Sequence, residues 1–219
     1  ANGQDVEGLT LTANTFSGTT NHEAISIGTG SSTNSTITIS GNTLSGKITK
    51  GIVLSSGKST IYNNTIGSSL AAGAGNANIG IDIISGGTHT IGDENQTHNT
   101  IDGFAIGIQV ADAATTSGSF NKFQNNTKDI DSNKTSFIEI FKSWFGHAGG
   151  PTDDTGQGSG GTVEGNIEYS PFITTNDMDK NNLDGVIVIK NNLDAIIGYA
   201  TTLSEAMTTI ASLAGQSPT

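Results

Sequence analysis

The sequence predicts an all-β protein in which short strands stack in parallel as the coils of a solenoid. Three observations lead to this prediction: a recurring phrase, short runs of alternating apolar residues, and a composition suited to frequent turns. The phrase is Asn, Thr and a large apolar residue, found at Asn14-Thr15-Phe16, Asn42-Thr43-Leu44, Asn64-Thr65-Ile66 and Asn99-Thr100-Ile101, with a weaker copy at Asn126-Thr127. A similar unit that returns every ~20–50 residues is the signature of stacked repeats.

The composition favours stacked strands over a disordered chain. Charged residues make up 13% of the 219 residues, whereas a typical globular protein has about a quarter. A disordered chain would also lack regularly spaced large apolar side chains, which this chain keeps. Its 30 glycines and many Ser, Thr and Asn residues suit short strands separated by frequent turns.

The charges exclude several classes of function. The net charge is −11 and every basic residue is a lysine, so the chain has no basic face for nucleic acid. The lack of arginine also weakens the case for an enzyme that grips an acidic polysaccharide. No apolar run reaches about 18 residues, so no membrane insertion by this segment is expected. Without cysteine there are no disulfides. We expect the chain to be part of a longer precursor.

The coils follow one another along residues 1–172. The first covers residues 6–28 and the second residues 35–57, where Thr36-Ile37-Thr38-Ile39 alternates with the period of a strand. The third and fourth keep the same pattern around insertions at Ser68–Asn78 and Gly92–His98. A fifth coil and a partial sixth follow. Similar strands at the same phase predict parallel stacking rather than hairpins.

The Asn of each phrase is predicted to lie at a corner of its coil. A corner Asn can hydrogen-bond the backbone of the bend, and stacked copies can bond one another. The sequence therefore predicts a structural Asn ladder, in which the following apolar residue enters the core. Its predicted members are Asn14, Asn42, Asn64, Asn99 and Asn126.

These phrases, with the later G-(I/V)-x-(V/L/I) phrases, resemble the repeats of pectate-lyase-like and NosD-like proteins. The segment Ser143-Trp144-Phe145-Gly146, a Gly-Pro pair and Gly165-Asn166-Ile167-Glu168-Tyr169-Ser170-Pro171-Phe172 resemble the closing motif of bacterial and archaeal surface proteins of this kind. Ser143 and Phe145 depart from the Asn and second Trp of that motif. The resemblance implies a right-handed parallel β-helix in a secreted or surface protein. Members of this group include lyases, hydrolases, epimerases, adhesins and scaffolds, so it does not fix the function.

Residues 173–219 are predicted to form a small strand-and-helix module that caps the β-helix or docks on it. Val186-Ile187-Val188-Ile189 is an apolar strand, and a second strand is expected from Ala195 after a polar turn. Thr202 and Glu205 have capping-box spacing, and the apolar residues that follow share one helical face. A cap would cover the unpaired backbone of an open end.

Three small groups of residues are candidates for binding. Asp177, Asp179 and Asn181 alternate as oxygen ligands do in Ca²⁺ loops, although the glycine of an EF-hand is misplaced and a solvated turn is the alternative. No cofactor other than Ca²⁺ is suggested. Trp144 and Phe145 could form a sugar platform or pack in a core. Asp82 and Asp102 could serve a polysaccharide site or lie in solvated turns.

The leading functional prediction is a non-catalytic extracellular or cell-surface module with a structural, adhesion or self-assembly role. Its partners would be a surface polysaccharide or neighbouring copies of itself. The alternative is a polysaccharide-active enzyme or a carbohydrate-binding β-helix, and a groove that holds two carboxylates with an aromatic floor would favour that alternative.

Overall fold

The computed structural model describes residues 8–28, 36–70, 78–111, 113–153, 158–179, 183–184, 187–190 and 196–200. Every regular element in these ranges is a β-strand. In chain order the strands are β1 Thr10–Thr12, β2 Thr15–Ile27, β3 Thr36–Ser40, β4 Thr43–Leu54, β5 Lys58–Tyr62, β6 Thr65–Gly67, β7 Ile79–Ile83, β8 Gly87–Ile91, β9 Asn99–Asp102, β10 Ile106–Val110, β11 Ala114–Ser119, β12 Asn121–Gln124, β13 Lys128–Ser132, β14 Ile138–Phe141, β15 Trp144–Phe145, β16 Thr162–Glu164, β17 Ile167–Glu168, β18 Phe172–Ile173, β19 Leu183–Asp184, β20 Ile187–Lys190 and β21 Ile196–Ala200.

Two large sheets contain most of these strands, and both are parallel. The seven-stranded sheet has the order β1-β3-β5-β8-β11-β14-β17. The ten-stranded sheet runs β15-β12-β9-β6-β4-β7-β10-β13-β16, with β2 paired to β4. We call each segment from one strand of the seven-stranded sheet to the next a repeat. From the third repeat to the sixth, each contributes one strand to the first sheet and two to the second. This all-β arrangement is compatible with a parallel β-helix.

The recurring phrase sets the register of the ten-stranded sheet. Thr15 pairs with Thr43, Thr43 with Thr65, and Thr65 with Thr100. In the first two repeats one long strand continues through the region that later repeats divide between two. The start of β4 pairs with β6 and its end with β7. The insertions before β7 and β9 leave this register intact, because extra residues in a loop need not shift the strands they connect.

The core consists of the apolar side chains that alternate inward from both sheets. Leu44, Ile66, Ile101, Phe123 and Phe145 form one stack, and each is fully buried. Their equivalents in the other strands belong to the same continuous cluster. Burying one such side chain contributes about 1.5–3 kcal/mol. The core therefore lies between the sheets and runs through all the repeats.

The Asn ladder forms between the first and second strands of each repeat. Asn14, Asn42, Asn64 and Asn99 are hydrogen-bonded in a row through their side chains. The prediction for the fifth member was wrong: the amide of Asn99 donates to Asn121, not Asn126. The phrase misled because Asn121 is followed by Lys rather than Thr. The ladder position needs only the Asn and the inward residue two places later.

Asn126 belongs to the next corner of the same repeat. Its Oδ1 accepts a 3.0 Å hydrogen bond from the backbone N–H of Phe104, and its Nδ2 donates 3.0 Å bonds to the carbonyl oxygen of Ile101 and to Oδ1 of Asp129. Asn78 lies at the same corner two repeats earlier, and its Oδ1 accepts from the N–H of Ala105 in the repeat between them. Two different corners therefore use Asn for the same physical reason.

A second, smaller core extends across the predicted domain boundary at residue 172. Ile173 and Met178 pack with Phe120 and Trp144, and Leu183 lies against this cluster. Strand β18 itself contains residues on both sides of the boundary, and it pairs antiparallel with β19. Strands β20 and β21 form a further antiparallel pair. The helix predicted from Thr202 lies outside the described residues.

Candidate functional site

A groove of about 320 Å³ lies on the outer face of the seven-stranded sheet. Its walls come from the ends of β8, β11 and β14 and from the loop that follows β8. It combines carboxylates, hydroxyls, one ammonium group and one aromatic ring. Its lining residues are Thr90, Gly92, Asp93, Glu94, Ser117, Gly118, Ser119, Glu139, Phe141 and Lys142.

The alternation of buried and outward side chains along β14 determines which residues form the floor of this groove. Ile138 and Ile140 are buried in the core, so the side chains of Glu139 and Phe141 leave the opposite face of the strand. The register sets Glu139 beside Ser117 and Phe141 beside Ser119. Glu139 is exposed and Phe141 is half-buried. An aromatic ring therefore stands next to a carboxylate and two hydroxyl groups.

The loop after β8 forms the wall, and several hydrogen bonds fix its shape. Oδ1 of Asp93 accepts 2.9 Å from the backbone N–H of Asn95, and the carbonyl oxygen of Asp93 accepts 3.0 Å from Gln96. Gly92 has a φ of 81°, and any Cβ there would collide with the carbonyl oxygen of Ser119. Only glycine lets the chain turn this close to the neighbouring strand.

One charged residue of this loop reaches a residue on the opposite side of the groove. The carboxylate of Glu94 forms an ion pair with the ammonium of Lys142, the residue directly after β14. The backbone N–H of Lys142 donates a 2.6 Å hydrogen bond to the carbonyl oxygen of Pro171. With Asp93 and Glu139 added, three carboxylates face one ammonium group. The groove therefore has a net negative charge.

Trp144 and Phe145 are both buried, so neither ring presents an exposed platform. Phe145 stacks on Phe123 in the main core, with ring centroids 5.2 Å apart. Trp144 points to the opposite side of β15, where Ile173 and Met178 cover it. These positions favour the packing interpretation of the two residues over a sugar-binding one.

The structure does not bring Asp82 and Asp102 together. Asp82 lies in β7 and is 3% exposed, with its Oδ2 2.7 Å from Nζ of Lys50. Asp102 lies in β9, on the other side of β4 in the sheet, and accepts a 2.8 Å hydrogen bond from Nδ2 of Asn125. Each carboxylate has its own partner. Sequence positions alone could not reveal this, because each residue directly follows an isoleucine within a similar short strand.

The predicted Ca²⁺ ligands are only partly described. Asp177 is exposed, and its Oδ1 accepts a 3.2 Å hydrogen bond from the backbone N–H of Asp179. The hydroxyl of Thr175 and this N–H together lower the pKa of Asp177. Asn181 lies outside the described residues. Within the ranges that the structure describes, no group of three or more His, Asp or Glu side chains is placed to hold a metal ion.

Two buried titratable groups lie away from the groove. Burial raises the pKa of Asp129 to about 7, although the amide of Asn126 donates to its carboxylate. Burial lowers the pKa of His89 to about 4. The Nδ1 of His89 lies 2.9 Å from Oγ of Ser59, inside the core. Neither group is open to a ligand, so both bear on stability rather than on binding.

The sequence contained part of the signal for the groove. The insertion Gly92–His98 broke the repeat, and Phe137-Ile138-Glu139-Ile140-Phe141 alternated as a strand does. What the sequence lacked was the pairing of β11 with β14, which sets the loop and the strand on one face. Glu94, Glu139 and Phe141 were therefore missed as site residues.

Comparisons with known proteins do not add a relative. A scan of protein-family models, a search of curated proteins and a search of solved structures each found no match. The described residues contain no helix with the length and apolar character needed to cross a bilayer.

Proposed function

We propose that this chain is a right-handed parallel β-helix module of the pectate-lyase-like or NosD-like kind, located outside the cell or at its surface. We further propose that its acidic groove binds a carbohydrate without cleaving it. This joins the predicted adhesion role to the carbohydrate ligand of the alternative prediction. The observation that carries the proposal is the single aromatic side chain, Phe141, set among carboxylates and hydroxyls in a groove.

The groove has the two kinds of surface that a sugar ring needs. The C–H face of a sugar packs on an aromatic ring, while its hydroxyls hydrogen-bond to carboxylate and hydroxyl oxygens. Phe141 supplies the ring, and Glu139, Ser117 and Ser119 supply oxygens beside it. A few polar groups converging on an apolar floor are typical of ligand sites.

The charge of the groove selects the class of carbohydrate. Lys142 neutralises Glu94, which leaves Asp93 and Glu139 without a cation in the groove lining. Two negative charges repel a polyuronate and attract an amine-bearing sugar. The expected ligand is therefore a neutral or amine-bearing glycan.

Calorimetric titration against three glycan classes tests the proposal. The panel contains a neutral glucan or mannan oligosaccharide, a chitosan oligosaccharide and an oligogalacturonate. The protein should bind at least one of the first two and not the third. Phe141→Ala should weaken binding about tenfold or more, which corresponds to ~1.4 kcal/mol.

Phe137→Ala is the matched control, because Phe137 is 65% exposed and lies outside the groove lining. Equal losses in the two variants would contradict the groove assignment, as would the absence of binding across the panel. The appearance of new reducing ends on any glycan would instead favour the enzyme alternative.

Self-association is a second role that one observation supports. Leu9, Leu11 and Phe16 are half-buried, whereas Leu44, the register partner of Phe16, is fully buried. Among the described residues β1 lies at the edge of the seven-stranded sheet, and an edge strand beside a partly exposed core favours pairing with another copy. Sedimentation at increasing protein concentration tests this role, and Leu11→Lys should abolish any oligomer. A monomer at every concentration would rule it out.

A further inference from the structure

The outer face of the seven-stranded sheet carries a two-dimensional array of hydroxyl groups. One row consists of Thr10, Thr38, Thr60, Thr90 and Ser117, each in direct register with the next. A second row, two residues earlier on each strand, contains Thr36, Lys58, Thr88 and Thr115. We call these two rows the threonine lattice. Lys58 is its one member without a hydroxyl.

The lattice is regular in both directions. Every pairing within the seven-stranded sheet keeps its register without a bulge. By contrast, register shifts occur between β2 and β4 and between β13 and β16. Hydroxyls therefore recur about every 4.8 Å across the strands and about every 6.6 Å along them. A patch of regularly repeating groups results, and it borders the groove at Thr90 and Ser117.

The hydroxyls of the lattice remain available to solvent. Thr10, Thr36, Thr88 and Thr115 are exposed, and the others in the first row are exposed or half-buried. Within the described residues, the structure gives none of the lattice threonines a side-chain hydrogen-bond partner. Their inward neighbours Ile37, Ser59 and His89 hold the backbone in place from the core side. The outer groups are therefore rigidly spaced but not engaged.

We propose that the threonine lattice binds ice. Each threonine offers a methyl group, which orders the first layer of water, and a hydroxyl, which donates to and accepts from it. A hydroxyl pattern that repeats in two directions, about every 4.8 and 6.6 Å, suits a partner surface that is itself periodic in two directions, as that of an ice crystal is. The lattice carries one charge in a chain of net charge −11, so it is complementary to an uncharged crystal and not to an ionic ligand.

The ten-stranded sheet provides a built-in comparison. It also has an outward threonine row, formed by Thr15, Thr43, Thr65 and Thr100. The positions two residues later are Ser17, Ser45, Gly67 and Asp102, so the second row of hydroxyls stops after two strands. One row cannot match a crystal in two dimensions. Only the seven-stranded sheet is therefore expected to bind.

Ice-affinity partitioning and thermal hysteresis test the inference with the full chain. The wild type should enter slowly growing ice and show a freezing gap. Thr60→Tyr, at the centre of the lattice, should lose both properties, while Thr65→Tyr in the same repeat should keep them. Lys58→Thr completes the second row and should increase both. Circular dichroism melts check that each variant is folded.

Several results would overturn the inference. One is a wild type that ice excludes as it excludes a non-binding protein. Another is an equal loss in Thr60→Tyr and Thr65→Tyr. Retention on crystalline cellulose or chitin that is lost in Thr60→Tyr, without entry into ice, would assign the face to a solid polysaccharide instead. The groove lining shares Thr90 and Ser117 with the lattice, whereas Thr60 lies outside the groove. Phe141→Ala should therefore leave ice binding unchanged, and Thr60→Tyr should leave glycan binding unchanged, so the two tests can fail separately.

Discussion

The side chain of Asn99 donates a 3.0 Å hydrogen bond to Oδ1 of Asn121, its counterpart one repeat later. Asn99 also donates a 2.9 Å hydrogen bond to the carbonyl oxygen of Ile61 in β5, which belongs to the preceding repeat. Oδ1 of Asn99 accepts from the backbone N–H of Asn64. Asn99 therefore satisfies backbone groups of the preceding repeat and bonds the side chain of the next one, in a place that water does not reach.

Removing one ladder residue should destabilise the whole stack. Asn64→Ala would remove the acceptor of the backbone N–H of Asn42 and one donor to the carbonyl oxygen of Ile39, and both groups are buried. Because each unsatisfied buried group costs about 1–3 kcal/mol, the free energy of unfolding should fall by roughly 3 kcal/mol or more. Urea denaturation measures this loss. Asn133→Ala, at an exposed position, should change the midpoint little.

Asp129 should make the protein less stable as the pH rises from about 4 to about 7. In that range folded Asp129 keeps its proton because burial raises its pKa to about 7, while the unfolded carboxyl has released it. The difference is on the order of 2–4 kcal/mol. Asp129→Asn is neutral at every pH, so it should be more stable than the wild type at pH 8 and similar near pH 4.

Denaturation curves at several pH values measure this difference. Asp131→Asn, in the same strand but half-buried and paired with Lys128, controls for the loss of a charge. An Asp129→Asn variant with the pH dependence of the wild type would contradict the assignment.

His89 should have the opposite effect to Asp129 on the pH dependence of stability. Folded His89 stays neutral down to about pH 4, while the unfolded imidazole takes up a proton near pH 6.5. Stability attributable to this group is therefore lost as the pH falls from about 6.5 to about 4. His89→Gln should flatten that loss. Denaturation at pH 5 and pH 7 measures it, with the exposed His147→Gln as the control. Loss of the same slope in both variants would point away from His89.

Because the two groups oppose one another between about pH 4 and 6.5, the wild type should show a shallower pH profile than either single variant. The Asp129→Asn variant should reveal the full His89 slope. The double variant should be nearly flat in that window.

Trp144→Ala and Phe145→Ala should destabilise the protein in different ways. Phe145 belongs to the main core, so its removal should cost about 3–5 kcal/mol of global stability. Trp144 belongs to the small cluster with Ile173 and Met178, so its removal should release mainly that segment. Limited proteolysis should cut Trp144→Ala near residues 174–179 while the far-ultraviolet spectrum stays close to that of the wild type. A purely global loss would contradict a separate cluster.

The sequence predicted the parallel stacking because the alternation of inward and outward residues in each strand can be read from a few neighbouring residues. The phrase at Asn42, Asn64 and Asn99 recurs with its inward apolar residue, and those residues meet in register. The same logic failed at Asn126, where a similar phrase serves a different corner. A corner is defined by which strand precedes it, and the fifth repeat lacks the Thr that marks the first corner elsewhere.

The candidate site was less predictable than the fold, since it depends on pairs that are far apart in sequence. Glu94 meets Lys142 across the groove, and Glu139 meets Ser117 through strand pairing. Neither pair follows from spacing. Conversely, Asp82 and Asp102 looked equivalent in sequence but occupy different flanks of one sheet. The position of a residue within the repeat pattern does not reveal on which side of a bend the residue lies.

The insertion Gly92–His98 adds residues between β8 and β9 without altering how either strand pairs. The Asn corners and the inward residues preserve the stacking of the strands, and this stacking does not depend on the length of the loop. The backbone N–H of Asn63 bonds to the carbonyl oxygen of Thr97, which anchors the end of the loop. Foreign peptides could be displayed between Asp93 and Thr97 in place of the groove wall that Glu94 forms, so the molecule is suited to serve as a scaffold for grafted recognition loops.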